Sequence, residues 1–454
     1  MIAIAELKRW FSLHQKQIRD DYFQFLRFRS ISTDPAYRKD CEECAEWLRA
    51  YLQRGGLHAE LIKTSGLPIV YAEDLSAGDA SETVLLYGHY DVQPVDPVEL
   101  WNSPPFEPTE RDGSVFARGA VDDKGQIFYA LLAVLCWKEL RGSLPVRIKF
   151  CIEGEEECGS KGLSGALPKL HSKLRADHLL VVDFDQFDRD VPAVSLGARG
   201  LAALEVTLTG SNIDLHSGLC GGIAYNPNRA LVELLAKLWD QDGRVQVPGF
   251  YDDVLELSEE EKNGYSYRAD QSYYMQQFGI EVFGGETGRT LKEANWFRPT
   301  LEINGISGGY AGSGIKTVIP SSAHAKISCR LVSNQDPEKI SRAVEAFLKS
   351  HVVHGMKITI VRHPGEPAFR GDPKSKLARA ISSASSEITG ASCKSTMSGG
   401  SIPVVPSLVR ASGAQVVGMG YGLIDDQIHA PNEHFDMHRF ELGFLTVGRA
   451  IGLL

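Results

Sequence analysis

The sequence predicts an α/β protein in which a mixed, layered sheet flanked by helices is interrupted by an α+β domain. Three observations predict this fold. Strand-like apolar runs alternate with helical patterns early in the chain, period-two alternation begins near Ser195, and helical patterns return beyond about Gly365. A chain of 454 residues is also long for one hydrophobic core. We therefore expect one domain from residues 1–194 and 366–454, and a second from residues 195–365.

The first domain begins with two helical patterns between about Leu13 and Leu52. Four strands are then expected at "LHAELI", "TVLLY", "PVRIKFCI" and "HLLVV". A helix from about Gly125 to Lys138 separates the second strand from the third. This order is typical of an α/β sheet, and in such sheets binding sites form outside the carboxyl ends of the strands.

The inserted domain contains three segments that alternate with period two, as half-buried antiparallel strands do: "LAALEVTLTG", "TLEINGI" and "SAHAKISCRLV". Asn226-Pro227 and Asp336-Pro337 each predict the start of a helix, because proline is favoured at the first helical position. Residues 262–290 are rich in Gly and Tyr, and we expect them to form a long surface excursion.

Composition and charge favour an enzyme or binder of small molecules. The chain has 43% hydrophobic and 23% charged residues, as soluble globular proteins do. Its formal charge of −10, without a Lys/Arg block, argues against a nucleic-acid or anionic-membrane partner. No apolar run approaches the ~20 residues that cross a bilayer. Six of the eight cysteines are scattered without a pairing pattern, which suits a reducing compartment, and Cys41 and Cys44 form a single C-x-x-C. We expect a cytoplasmic protein, in which Cys41 and Cys44 serve only packing.

Residue types that bind metals follow the predicted strands. His89 comes directly after "TVLLYG", Glu155, Glu156 and Glu157 follow "RIKFCIEG", and Asp183 follows "HLLVV". Asp122 and Asp123 precede the predicted helix. The carboxyl ends of neighbouring strands meet at one edge of a sheet, so these side chains can converge on one crevice.

One imidazole with several carboxylates suits zinc, manganese or cobalt, and zinc is our first expectation. Adjacent carboxylates repel one another unless a cation neutralises them. Asp122 has two oxygens and could bridge two ions about 3.5–4 Å apart, the spacing of two-metal hydrolytic sites. Asp91 is then expected to accept the second imidazole N–H of His89 and to fix its tautomer.

A series of motifs carries a resemblance to a known family. They occur in the order "GHYDVQP", "LWNSPPFEP", "RGAVDDKGQ", "EGEEECGS", "DLHSGLCGG", "GGYAGSGIKTVIP", "CRLVSNQDP", "GGSIP" and "IHAPNEHF". From about Asp21 onward the chain closely resembles the dinuclear-zinc metallopeptidase family of carnosinase and the nonspecific cytosolic dipeptidases. Carboxypeptidase G, aminoacylase and related deacylases are wider relatives. The resemblance implies a catalytic domain interrupted by a lid domain that dimerises.

The same resemblance implies two divalent metal ions per subunit, with the ligands His89 and Asp183 for one ion, Glu157 and His429 for the other, and Asp122 for both. It makes Glu156 the general base and implies a cis peptide between Asp122 and Asp123. Asp185 is a rival to Asp183, because family members often carry a Ser-Asp pair here. We favour Asp183, since its spacing to Pro192 matches the family without a gap.

The resemblance also implies substrate contacts. His216 would act across the dimer interface as a donor to the scissile carbonyl oxygen in the partner's site, and Thr317 would also act in trans. Arg330 would bind the substrate carboxylate, with Ser401 nearby.

We therefore expect a homodimeric metallodipeptidase that cleaves dipeptides with a free C-terminal carboxylate. The alternatives are a carboxypeptidase on longer peptides and an N-acyl amino acid deacylase using the same centre. A P-loop NTPase is excluded, because Ile315 separates Gly314 from Lys316. A non-catalytic relative should have lost ligands or the base, whereas this sequence retains them.

Overall fold

The computed structural model describes residues 2–400 and 402–454. Ser401, one of the predicted substrate contacts, lies outside the described residues. Within them the chain forms eighteen strands, which in chain order are β1 (His58–Ile62), β2 (Ile69–Asp74), β3 (Thr83–His89), β4 (Thr109–Arg111), β5 (Ser114–Phe116), β6 (Arg147–Glu153), β7 (His178–Val181), β8 (Ala193–Ala198), β9 (Gly200–Thr209), β10 (Leu215–His216), β11 (Thr300–Gly308), β12 (Val318–Ile319), β13 (Ser322–Leu331), β14 (Lys357–Arg362), β15 (Phe369–Arg370), β16 (Lys394–Ser398), β17 (Gln415–Met419) and β18 (His434–Asp436).

The α-helices of the same described ranges number twelve. In chain order they are α1 (Ile4–Arg27), α2 (Arg38–Arg54), α3 (Lys124–Arg141), α4 (Lys161–Leu174), α5 (Ser217–Cys220), α6 (Pro227–Leu235), α7 (Glu259–Asn263), α8 (Gln271–Phe278), α9 (Pro337–His351), α10 (Lys376–Thr389), α11 (Val405–Ser412) and α12 (Met437–Ile451).

The largest sheet has nine strands in the order β1-β2-β6-β3-β7-β17-β8-β15, with β16 also paired to β8. Strands β6, β3, β7 and β17 run parallel. Strand β2 pairs antiparallel with β1 and β6, and β8 pairs antiparallel with β17 and β15 but parallel with β16. Helices α1, α2, α3, α10 and α12 contribute to the hydrophobic cluster on one face, and α4 and α11 to the cluster on the other. The predicted mixed sheet flanked by helices is confirmed.

A second, antiparallel sheet has the order β11-β13-β9-β14 and forms its own hydrophobic cluster with α6 and α9. Along β13, Ala323 and Ala325 are buried while His324 is exposed, as the period-two pattern predicts. The side chains of Asn226 and Asp336 accept backbone N–H groups at the starts of α6 and α9, so both predicted helix starts are confirmed. The domain boundaries at residues 195 and 365 stay predictions.

The first helix begins at Ile4 rather than near Leu13. Its first turns bury Trp10 and Phe11 against Phe444 of α12, with ring centroids 5.5 Å and 5.2 Å apart. This packing partner lies at the other end of the sequence. The helical pattern of residues 4–12 alone does not reveal this packing, so the predicted helix starts too late.

Two further observations concern composition. None of the helices within residues 2–400 and 402–454 combines the length and the apolar character needed to cross a bilayer. Cys41 and Cys44 are buried in α2, and burial raises the pKa of their thiols to about 12 and about 11. Both therefore stay protonated and serve packing.

Candidate metal centre

The parallel arrangement of β6, β3 and β7 brings three sequence-predicted groups to one sheet edge. His89 is the last residue of β3, Glu156 and Glu157 lie in the turn after β6, and Asp183 follows β7 by two residues. Because these strands run in the same direction, their carboxyl ends meet at this edge. The strand order therefore explains why the buried strand β3 ends in a histidine.

Asp122 lies between two groups of side chains. Its Oδ1 is 3.1 Å from Nε2 of His89, which is 3.9 Å from Oδ2 of Asp183. Its Oδ2 is 2.9 Å from Nε2 of His429, which is 3.3 Å from Oε2 of Glu157. Each oxygen of Asp122 thus faces a different group, as a bridging carboxylate requires.

The donor set fits a pair of divalent ions. Two ligands that are each about 2.1 Å from one ion lie no more than about 4.2 Å apart, and the four distances above fall within this limit. In each three-residue group, one ligand atom per residue can be chosen so that the three atoms lie within 4.8 Å of one another. Imidazole nitrogens with carboxylate oxygens are a donor set that zinc, manganese and cobalt accept.

The other nitrogen of His89 is turned away from the carboxylate pair. Its Nδ1 is 3.1 Å from the backbone oxygen of Asp91 and 3.3 Å from Oδ1 of the same residue. Both partners accept hydrogen bonds, so a neutral ring whose Nε2 binds an ion would carry its proton on Nδ1. The lone pair of Nε2 then points towards Asp122 and Asp183, as metal binding requires.

Asp91 also holds the turn that carries the two glutamates. Its carboxylate accepts the backbone N–H of Glu156 at 3.2 Å and of Glu157 at 3.1 Å, and the hydroxyl of Ser32 at 2.6 Å. One buried carboxylate therefore fixes His89 and this turn together. These contacts favour a positioning role for Asp91, consistent with the sequence interpretation.

The centre carries a surplus of buried negative charge. Burial is the main cause that raises the pKa of Glu156 to about 7, and the charges of Glu157 and Asp122 add to it. Burial, followed by the carboxylates of Asp123 and Asp122, raises the pKa of Asp183 well above its ordinary value. Carboxylates that repel one another in this way are stabilised by a cation placed among them.

The backbone before Asp122 is held by a residue that the sequence interpretation did not single out. Glu433 is fully buried and accepts the backbone N–H groups of Gly119, Val121 and Asp122 at 2.9–3.1 Å. It also pairs with the buried guanidinium of Arg118 at 2.7 Å. The peptide between Asp122 and Asp123 is cis, as the resemblance implies.

We expect Glu433→Ala to lower the free energy of unfolding by about 3–5 kcal/mol, because it leaves the Arg118 charge buried without its partner. Urea unfolding followed by circular dichroism measures this loss. Glu433→Gln keeps the volume and an acceptor oxygen, so its loss should be smaller. A loss below about 1 kcal/mol for the alanine variant would contradict the role assigned to Glu433.

His429 lies in the loop between β17 and β18, and its backbone has a φ of 60°. For a residue other than glycine this left-handed conformation costs free energy, so the surrounding structure must hold it. On the N-terminal side of His429, buried Asp426 pairs with Arg439 at 2.6 Å. After His429, Asn432 accepts the backbone N–H of Asn102 at 2.8 Å. Both sides of the histidine are therefore anchored.

The rival ligand Asp185 does not belong to either three-residue group found among the described residues. Its side chain is exposed, and its backbone forms an isolated bridge with Gly422. The geometry therefore favours Asp183.

The predicted trans-acting residues lie together on the second domain. His216 of β10 pairs with Val318 of β12, next to Thr317, and both predicted residues are exposed. Nδ1 of His216 accepts the N–H of Gly218 at 3.0 Å, so the proton of a neutral ring lies on Nε2. The hydrogen bonds and ion pairs found among the described residues do not join His216 to the metal-binding groups.

A cavity of about 670 Å³ adjoins the centre, and its lining includes Asp122 and Asp183. Arg199 also lines it and donates from Nε to the oxygen of Gly399 at 3.0 Å. Arg330 of β13 pairs in register with Leu201 of β9, which follows Arg199 by two residues. Burial first, and then the charge of Arg330, lower the pKa of Arg199 to about 10. Arg330 is half-buried on β13.

Sequence interpretation missed Arg199 and the role of residues 262–290. That segment contains α8, and Tyr267, Tyr273 and Tyr274 line the same cavity. Its Gly- and Tyr-rich composition resembles that of a surface loop. The tyrosines were the available signal, because aromatic side chains are typical of ligand pockets.

Comparisons with known proteins give a consistent result. The model of peptidase family M20/M25/M40 matches residues 85–452. The chain is 31% identical over 452 residues to the human Beta-Ala-His dipeptidase, covering 95% of this chain and 88% of that protein. It is also 31% identical over 436 residues to a Cys-Gly metallodipeptidase of Schizosaccharomyces pombe, covering 91% and 90%.

Among solved structures, the chain is similar to an M20 family metallo-carboxypeptidase from Sulfolobus solfataricus. The TM-score is 0.86 at 31% identity, with 96% of this chain and 98% of that chain covered. The shared fold therefore extends over both sheets.

Proposed function

The chain belongs to peptidase family M20/M25/M40, and we propose that it is a metal-dependent dipeptidase that cleaves dipeptides with a free C-terminal carboxylate. The observation that carries this proposal is the position of Asp122, whose two oxygens face two different ligand groups. The dipeptidases named above are the relatives that support the substrate class.

In this proposal two divalent ions, zinc first and manganese or cobalt as alternatives, are held by His89, Asp122, Glu157, Asp183 and His429. Bound ions of this kind polarise a carbonyl group and lower the pKa of water. The chain's contribution is to fix the donor atoms, through Asp91 for His89 and through Glu433 for Asp122.

Glu156 is the general base in this proposal. It accepts a proton from the attacking water and passes it to the nitrogen of the leaving amine. The backbone N–H groups of Glu156 and Glu157 donate to Asp91 and so fix the turn that carries both residues. The general base and the neighbouring ligand therefore keep a fixed position relative to one another. Arg330 binds the C-terminal carboxylate of the substrate, together with Ser401.

We further propose that the protein is a homodimer in which His216 and Thr317 complete the partner's site. Several large apolar side chains of the second domain are exposed, among them Ile223 at 83% and Ile315 at 96%. Ile315 lies two residues before Thr317 and Ile223 seven residues after His216, so an interface formed around the two trans-acting residues would also cover apolar surface. His216 in its inferred tautomer presents Nε2–H, which can donate to the scissile carbonyl oxygen.

We expect His216→Ala and Glu156→Gln homodimers each to be nearly inactive and their mixed dimer to recover up to about half of normal activity. The mixed dimer contains one site with an intact base and an intact histidine from the other chain. The two variants are unfolded together, reassembled, and assayed with differently tagged chains. Absence of recovery, when tagged heterodimers are isolated, would refute action in trans.

The function itself is tested by turnover. The chelated protein is reloaded with zinc, manganese or cobalt and assayed on Ala-Ala, Ala-Ala-Ala and N-acetyl-alanine. Hydrolysis of Ala-Ala that depends on the metal supports the proposal, whereas no hydrolysis by fully loaded protein refutes it.

A carboxypeptidase is the second candidate, because a metallo-carboxypeptidase is among the similar structures. Equal rates on tripeptide and dipeptide would favour it, and preference for N-acetyl-alanine would favour a deacylase. We also propose a cytoplasmic location, which the eight free cysteines support, since disulfides are rare in that compartment.

A further inference from the structure

We propose that the cavity beside the metal centre takes an aromatic side chain of the substrate's C-terminal residue, and that Tyr267, Tyr274 and Trp296 select for this side chain. The inference rests on the proposed dipeptidase function and adds a substrate preference to it. These three residues are called the aromatic wall below.

The aromatic wall is built from interlocking contacts. The ring of Tyr267 stands at 86° to that of Trp296, with centroids 4.7 Å apart. The hydroxyl of Tyr267 is 2.5 Å from that of Tyr274, so the two hydroxyls hydrogen-bond. This pairing satisfies both polar tips and leaves ring surface to face the cavity.

The position of the wall indicates which part of a substrate would touch it. The wall and Arg199 line the same cavity, and Arg330 pairs in register with Leu201, two residues after Arg199. In the proposed function Arg330 binds the C-terminal carboxylate. The side chain of that C-terminal residue branches from the Cα atom, which is bonded directly to the carboxylate carbon. It therefore lies at the arginine end of the cavity, beside the wall.

Ion pairs hold the segment that carries the wall. Arg298 is nearly buried and binds Glu286 through Nε and Nη2, both at 2.9 Å, and Glu256 through Nη1 at 2.6 Å. Lys262 pairs with Glu293 at 2.7 Å. These contacts fasten the segment on both sides of Tyr267 and Tyr274. The wall is therefore preorganised, which lowers the entropy cost of binding.

The size of the cavity agrees with a bulky group. Its volume of about 670 Å³ exceeds what the backbone of a dipeptide fills, so a small C-terminal residue leaves the wall in contact with water. A phenylalanine side chain buries about 150–250 Å² of apolar surface. Differences of this kind in a hydrophobic pocket change kcat/KM by roughly 10- to 200-fold.

The test compares Ala-Phe with Ala-Ala on metal-loaded protein. We expect kcat/KM for Ala-Phe to exceed that for Ala-Ala at least about tenfold, and free L-phenylalanine to inhibit more strongly than L-alanine. Tyr274→Ala should bring the ratio of the two kcat/KM values close to one, mainly by raising KM for Ala-Phe. Tyr274→Phe keeps the ring and should keep the ratio, as should Tyr37→Ala, whose ring lies over Arg29.

A second wall variant, Tyr267→Leu, repeats the test if Tyr274→Ala unfolds. Equal kcat/KM for the two dipeptides, or an unchanged ratio in the folded wall variants, overturns the inference and leaves the dipeptidase proposal intact. Failure of the loaded protein to hydrolyse either dipeptide refutes the proposed function, and the inference with it.

Discussion

Glu156→Gln is expected to lower kcat for dipeptide hydrolysis by about 10²- to 10⁴-fold while the protein keeps both metal ions. Glutamine has nearly the same shape as glutamate but cannot accept the proton of the attacking water. Glu156 belongs to neither of the three-residue ligand groups found among the described residues, so metal content should not change. Steady-state kinetics and elemental analysis of the same sample measure both quantities.

The neighbouring glutamates provide controls. Glu155 accepts the backbone N–H of Gly162 at 2.9 Å, so Glu155→Gln should change kcat far less than Glu156→Gln. Glu157→Gln should lower metal content, since Glu157 belongs to a ligand group. Near-normal turnover by fully loaded Glu156→Gln protein would rule Glu156 out as the base.

The second large effect concerns the C-terminal carboxylate of the substrate. In the proposed function, amidation replaces a charge-assisted pair with Arg330 by a neutral contact. A buried charge that loses its partner costs about 2–5 kcal/mol, or roughly 30- to several-thousand-fold in kcat/KM. We therefore expect dipeptide amides to be very poor substrates when each dipeptide is compared with its own amide.

Variants of Arg330 separate this explanation from a general loss of binding. Arg330→Ala should lower the rate on the free dipeptide and erase much of the difference between acid and amide. Arg330→Lys keeps the positive charge but loses the planar guanidinium that binds a carboxylate through two hydrogen bonds. It should therefore retain more of the difference between acid and amide than Arg330→Ala does. Equal rates of the wild-type protein on acid and amide would show that no residue binds the carboxylate.

The sequence predicted His89, Glu157 and Asp183 at the centre because each follows a strand with a clear local pattern, whereas His429 was assigned through the family resemblance. His89 and Asp183 could be assigned to one edge once their strands were expected to be parallel. The role of Glu433 could not be predicted, because it depends on backbone N–H groups of a loop more than three hundred residues away in the sequence. Arg199 and the aromatic wall were missed for the same reason: their shared cavity is a product of tertiary packing.

The separation between Asp122 and His429 also has a consequence for protein synthesis. His429 follows Asp122 by 307 residues, and β17, which lies between β7 and β8 in the sheet, also belongs to this late segment. A nascent chain that has reached β16 therefore carries four of the five proposed ligands, with one hydrogen-bonding edge of β7 still open. The segment that contains β17 and His429 must leave the ribosome before His429 can reach the other four ligands. The growing chain therefore cannot assemble a complete hydrolytic centre before that point.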